Sequence, residues 1–99
     1  MNNVCVIGER ELVNGFKLIG IGDAFEFKDK NDVLKIFNSK SYRYIFLSES
    51  TERYFNDNEL NILKSSIDPL VIFIPMPGVS EEESVFELAK KILGIDIGD

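Results

Sequence analysis

Val4-Cys5-Val6-Ile7 is an unbroken apolar run that stops at Gly8, and it constrains the fold more than any other part of the chain. Side chains on a strand point alternately to opposite faces, so an apolar run without alternation belongs to a strand covered on both sides. Such strands are the habit of parallel sheets flanked by helices. After the polar break at Glu9-Arg10-Glu11, the residues Leu12, Val13, Phe16 and Ile19 recur at helical spacing and can lay one stripe on that strand. The pattern predicts a strand over residues 3–7 and a helix over 10–18.

The same alternation of apolar runs and amphipathic segments continues to the end. Residues 20–27 read as a second strand, with Ile21, Ala24, Phe25 and Phe27 giving it one wetter face. Lys28-Asp29-Lys30-Asn31 is a turn in which Asp29 or Asn31 can cap a helix whose inner stripe is Val33, Ile36 and Phe37. Tyr44-Ile45-Phe46-Leu47 is the third strand. Tyr54, Phe55, Ile62 and Leu63 mark a third helix, with a break expected near Asn56, Asp57 and Asn58 because these side chains compete for the backbone. Leu70-Val71-Ile72-Phe73-Ile74 is the clearest strand, set between Pro69 and Pro75. Ser80-Glu81-Glu82-Glu83 has the form of a capping box for a last helix buried through Val85, Leu88, Ala89, Ile92 and Leu93. Gly94 closes that helix before a short tail, and residues 83–99 form its C-terminal unit. Strand–helix repeats of this length require right-handed crossovers and a parallel sheet. The expected architecture is a single α/β domain over residues 1–99: three layers, about four strands in the order 2-1-3-4, of the receiver or flavodoxin-like kind.

Composition removes several function classes. Eleven basic against seventeen acidic residues leave a net charge of −6, which argues against nucleic acid or an anionic membrane surface as partner. No charge-free run approaches the roughly 20 residues of a membrane span, and Met1-Asn2-Asn3-Val4 lacks the basic start of a secretion signal. With a single cysteine there is no internal disulfide, so the reading is cytoplasmic. The chain has no histidine, which excludes Ser-His nucleophile pairs and imidazole acid–base work. Cys5 sits inside an apolar strand pattern and reads as a small buried hydrophobe.

In open parallel sheets ligands favour the carboxyl ends of the strands where the strand order reverses. Here that crevice takes Gly8, Glu9, Ser48, Glu49 and the loop over residues 75–78. A phospho-acceptor domain needs an acidic cluster after the first strand and an Asp closing the third; this chain has Ser48 at that position. A magnesium site from Glu9 and Glu49 is chemically allowed. The plainer reading makes Glu9 and Ser48 or Ser50 helix caps. Gly20-Ile21-Gly22 lacks the third glycine of a dinucleotide fingerprint and reads as a sheet-edge accommodation. No catalytic, cofactor-binding or metal-ligating set is expected, and no cofactor.

One feature does suggest function. In the order 2-1-3-4 the strand Leu70-Val71-Ile72-Phe73-Ile74 is an edge, and a long apolar edge without charge either is covered or invites a partner. Leu70, Ile72, Phe73 and Ile74 are therefore candidate interface residues; the competing reading folds Ile95-Asp96-Ile97 back as a fifth strand. Tyr42, Tyr44 and Phe27 are further aromatic candidates.

The order of these segments resembles the F subunit of V-type and archaeal A-type rotary ATPases. That family opens with a strand, a glycine and an acidic residue, then a Gly-Phe-basic-Leu-small-Gly segment, matched here by Gly15-Phe16-Lys17-Leu18-Ile19-Gly20. Tyr44-Ile45-Phe46-Leu47-Ser48-Glu49 looks like its third strand, although Ser48 stands where many relatives have threonine. Leu70-Val71-Ile72-Phe73-Ile74-Pro75 looks like its fourth, and the region 84–94 like its closing helix and glycine. The resemblance implies a noncatalytic part of the central stalk that docks on the coiled-coil D subunit and turns with it inside the ring of A and B subunits. ATP synthesis or hydrolysis is thereby coupled to proton or sodium ion transport, with the protein cytoplasmic and peripheral to the membrane. It also implies that segment 83–99 approaches the catalytic head, with Ile95 and Ile97 as contacts. The alternative is a receiver-like signalling or interaction domain without its acceptor Asp.

Overall fold

The computed structural model describes residues 3–75. In chain order these form β1 (Val4–Gly8), α1 (Arg10–Leu18), β2 (Ala24–Glu26), α2 (Lys30–Ser39), β3 (Tyr44–Ser48), a 3-10 helix (Glu49–Tyr54), α3 (Asp57–Ser65) and β4 (Leu70–Ile74). The strands make one parallel sheet in the order β2-β1-β3-β4. The expected α/β architecture and strand order are thus observed. The C-terminal helix with its capping box, the fifth-strand alternative, and Ile95 and Ile97 lie outside the described residues.

Period-two alternation divides the strands between two cores. Val4, Val6, Ala24, Phe46 and Ile74 face one side and pack with Leu12, Val13 and Phe16 of α1, where the Phe16 and Phe46 rings lie 5.7 Å apart. Cys5, Ile7, Ile45, Leu47 and Val71 face the other side against Val33 and Phe37 of α2, Leu63 of α3 and Phe55. All five residues of β1 are buried, as its unbroken apolar run requires.

Two elements differ from the sequence reading. The second strand spans Ala24–Glu26 only, and the Gly20-Ile21-Gly22 pair is not part of it. Gly20 has φ +99° and ends α1: its amide donates to Lys17 O and the Ile21 amide donates back to Phe16 O. That is the two-bond helix ending which a left-handed glycine permits, and Ile21 is buried in the same cluster as Phe16. The third helical region is split. The break falls at Phe55 and Asn56, where Asn56 and Glu59 form a reciprocal capping box that starts α3 afresh. Phe55 and Leu63 are buried as expected, whereas Tyr54 and Ile62 face solvent. Of the two proposed caps on α2, Asp29 is the one used, accepting from the Asn31 amide at 3.1 Å.

Candidate functional site

The strand order reverses between β1 and β3, and their carboxyl ends carry Gly8-Glu9 and Ser48-Glu49. The two strands approach closely there. A Cβ on Gly8 would lie 2.9 Å from both the Cβ and the Oγ of Ser48 and 2.6 Å from Leu12 Cδ2, so only glycine fits. Ser48 is fully buried, and its hydroxyl lies 3.2 Å from Ser50 Oγ. The Ser50 hydroxyl donates to Glu9 Oε2, and Thr51 Oγ1 donates to Ser48 O at 2.7 Å. The crevice is thus bridged by a Glu9–Ser50–Ser48 chain that joins the first strand to the 3-10 helix.

This arrangement corrects the capping assignment. Glu9 and Ser48 occupy the cap positions of α1 and the 3-10 helix, but neither side chain makes a cap hydrogen bond. The Glu9 carboxyl feels partial burial, which raises its pKa. Hydrogen bonds from Ser50 and Ser48, its own backbone amide and the Arg53 charge outweigh this and hold it below the usual carboxylate value. Its other oxygen, Oε1, is buried without a hydrogen-bond partner among the described residues. At the position where an acceptor domain carries Asp there is a buried, hydrogen-bonded serine that water does not reach. Among the described residues no three Asp, Glu or Cys side chains gather as a metal-binding group. Cys5 is buried, and its thiol is pushed up to about 12 by burial and then by the Asp23 charge.

β4 is an edge of the sheet among the described residues, as the sequence implies, but its side chains are unequally available. Leu70 is exposed. Ile72 is half-buried against the α1-side cluster, and Phe73 packs on the α3 side with Lys64 Nζ 5.5 Å from its ring. Ile74 is a core residue, 1% exposed. Tyr44 is partner to Leu70 in the ladder and also exposed, Tyr42 is half-buried, and Phe27 stacks on Tyr54 at 5.1 Å. At the opposite edge a groove of about 640 Å³ runs over β2 between α1 and α2.

Sequence reasoning missed two things. Ser50 as the ligand of Glu9 has no local signal, since the residues are 41 positions apart and meet only through the crossover. Ile67, the most exposed large apolar side chain described, had a signal in its position just ahead of Asp68-Pro69, where the chain must turn into β4.

Comparison of the sequence with known proteins finds relatives that align over nearly the whole chain. The F subunit of the A-type ATP synthase of Thermoplasma acidophilum is 41% identical over 99 residues, covering 97% of this chain and 95% of that protein. Its counterpart in Thermoplasma volcanium is 42% identical over 98 residues, covering 96% and 94%. That of Methanocaldococcus jannaschii is 29% identical over 100 residues, covering 95% and 97%. No solved structure matches the chain. The profile of the family described as ATP synthase (F/14-kDa) subunit matches residues 4–92, and the chain belongs to that family.

Proposed function

We propose that this chain is a noncatalytic central-stalk component of an A-type rotary ATP synthase. In this role it docks on the coiled-coil D subunit of the stalk, and the pair turns inside the ring of A and B subunits. Rotation couples ATP synthesis or hydrolysis to the movement of protons or sodium ions through the membrane sector. The protein lies on the cytoplasmic side and is peripheral; no helix among the described residues is long and apolar enough to cross a membrane.

The observation that carries the proposal is the family match over residues 4–92, together with identities above 40% along nearly the full length of the F subunits of two Thermoplasma species. The switch crevice supports it from the side of chemistry. Glu9 Oε2 accepts from Ser50 and Ser48 is buried, so the crevice is read as a structural joint between β1 and β3. A rigid small domain suits a part that must hold a shaft and transmit torque without deforming.

Co-expression with the D subunit from the same genome, followed by size-exclusion chromatography with light scattering, tests the reading. A stable one-to-one complex supports it. A monomer that ignores the D subunit overturns it and brings the receiver-like alternative forward.

A further inference from the structure

We propose that the 3-10 segment Glu49–Tyr54 is a strap that closes the crevice at the carboxyl ends of the strands, fastened at both ends and opening only as a whole. The strap is a property of the domain itself and does not depend on the subunit it docks on.

The segment leaves β3 at Ser48 and touches the ends of the next two strands in their order across the sheet. Ser50 donates to Glu9, the residue that follows β1. Tyr54 stacks on Phe27, the residue that follows β2, with ring centroids 5.1 Å apart. Phe27 is itself pinned to the end of β1, where its amide donates to Gly8 O at 2.8 Å. A 3-10 helix rises about 2 Å per residue, so the path from Ser50 to Tyr54 covers roughly 8 Å. That is enough to pass from one strand to its neighbour, about 4.8 Å away.

Beneath the segment the crevice is shut. Thr51, in its middle, is 2% exposed and donates to Ser48 O at 2.7 Å. Ser48 is fully buried, and Glu9 Oε1 is out of reach of solvent with no hydrogen-bond partner among the described residues. A carboxylate oxygen at an open mouth would be hydrated, so one buried here marks a closed crevice. The place where sheets of this kind take a ligand is covered by the chain's own backbone.

Neither fastening is strong alone. One is a single hydrogen bond from an exposed serine, and the other is a ring pair whose Tyr54 is half in water. Arg53 steadies the second, with its guanidinium 5.1 Å from the Tyr54 ring and donating to the hydroxyl at 3.2 Å. Beyond Tyr54 the buried Phe55 and the Asn56–Glu59 capping box hold the chain again. The movable piece is therefore the six residues between Ser48 and Phe55. A helix this short moves as a body, so an end that lifts takes the other with it.

NMR on the full chain tests the strap, with Ser50→Ala, Tyr54→Ala and, as control, Glu49→Ala. All three side chains are exposed, so these variants fold, and a thermal melt verifies that. Ser50→Ala is expected to speed exchange of the Phe55 amide, which donates to Glu52 O, about tenfold. It should also move the Phe27 ring signals toward those of an unstacked ring. Tyr54→Ala should move the Glu9 carboxyl carbon signal toward that of a hydrated carboxylate. Exchange at the buried Val6 and Leu63 stays at wild type in both, and Glu49→Ala changes none of these signals. Disturbance confined to the substituted end overturns the strap, and so does the same response in Glu49→Ala. Faster exchange at Val6 or Leu63 overturns it too, because the opening is then global. Should one variant lose its cooperative melt, the other decides.

Discussion

Glu9, at the end of the first strand, accepts a hydrogen bond from Ser50, which lies 41 positions later in the 3-10 helix after the third. The bond crosses the point where the strand order reverses, so two segments that leave the sheet in opposite directions are tied at their roots. Its carboxylate is ionised under ordinary conditions because Ser50, Ser48 and the backbone amide favour the charged form over the effect of burial.

Acid should therefore release this tie. Since the folded pKa lies below the unfolded one, the stabilisation from Glu9 is complete above about pH 4.5 and is lost as the pH falls through the depressed folded value. Glu9→Gln is expected to cost roughly 1 kcal/mol at pH 7 and to flatten the acid limb of the stability curve. Urea unfolding at pH 7 and at pH 4 checks both; an unchanged acid limb in the variant assigns the limb to other carboxylates.

Gly8→Ala places a methyl group 2.9 Å from Ser48 Cβ, inside contact distance, at a site where both strands are buried. Leu12 Cδ2, at 2.6 Å, can swing aside, but the Ser48 Cβ belongs to the sheet itself. A loss of about 1–3 kcal/mol is expected by denaturant unfolding. A neutral outcome would mean that β1 and β3 separate easily at this end.

Adjacent residues on α3 should behave oppositely. Leu63 is fully buried among Val33, Phe37 and Phe55, and Leu63→Ala is expected to cost about 2–4 kcal/mol. Ile62, 48% exposed, should tolerate alanine within about 0.5 kcal/mol. Equal effects from the two substitutions, measured by thermal melts, would put α3 in a different rotation on the sheet.

The thiol of Cys5 reports global unfolding. An unfolded cysteine ionises near pH 8.5, whereas burial and the Asp23 charge push this one up to about 12. The native chain should resist a thiol reagent at pH 8 and react fully in urea. Because the folded value is the higher one, the contribution to stability is complete below about pH 8.5 and declines as the pH rises beyond it. Fast labelling of the native chain would show that β1 opens locally.

The sheet was legible because unbroken apolar runs such as Val4-Cys5-Val6-Ile7 and Leu70-Val71-Ile72-Phe73-Ile74 admit few other roles, and right-handed crossovers then restrict their order. The break before α3 was legible in Asn56 and its neighbours, and the Asp29 cap in its residue type. The extent of β2 was not. Ile21, just after Gly20, suits a strand that starts there, but the positive φ of Gly20 turns that segment back onto Phe16 instead. The bridged crevice was half visible: sequence placed Glu9 and Ser48 at the same end of the sheet. It could not show that Ser50 stands between them, because that depends on the tight path of the 3-10 helix. Ile74 shows the same limit at the edge: its neighbours in sequence suggest an open face, and packing against the α1-side cluster closes it.

Placing β1 between β2 and β3 also sets a schedule for synthesis. The first strand to leave the ribosome is the one flanked on both sides by strands made later, since Val4 pairs with Tyr44 and Val6 with Ala24 as well as Phe46. Its wholly apolar run is thus the stretch that stays unpaired longest in the nascent chain. Completion of β3, rather than of any helix, is the moment at which β1 can have neighbours on both sides.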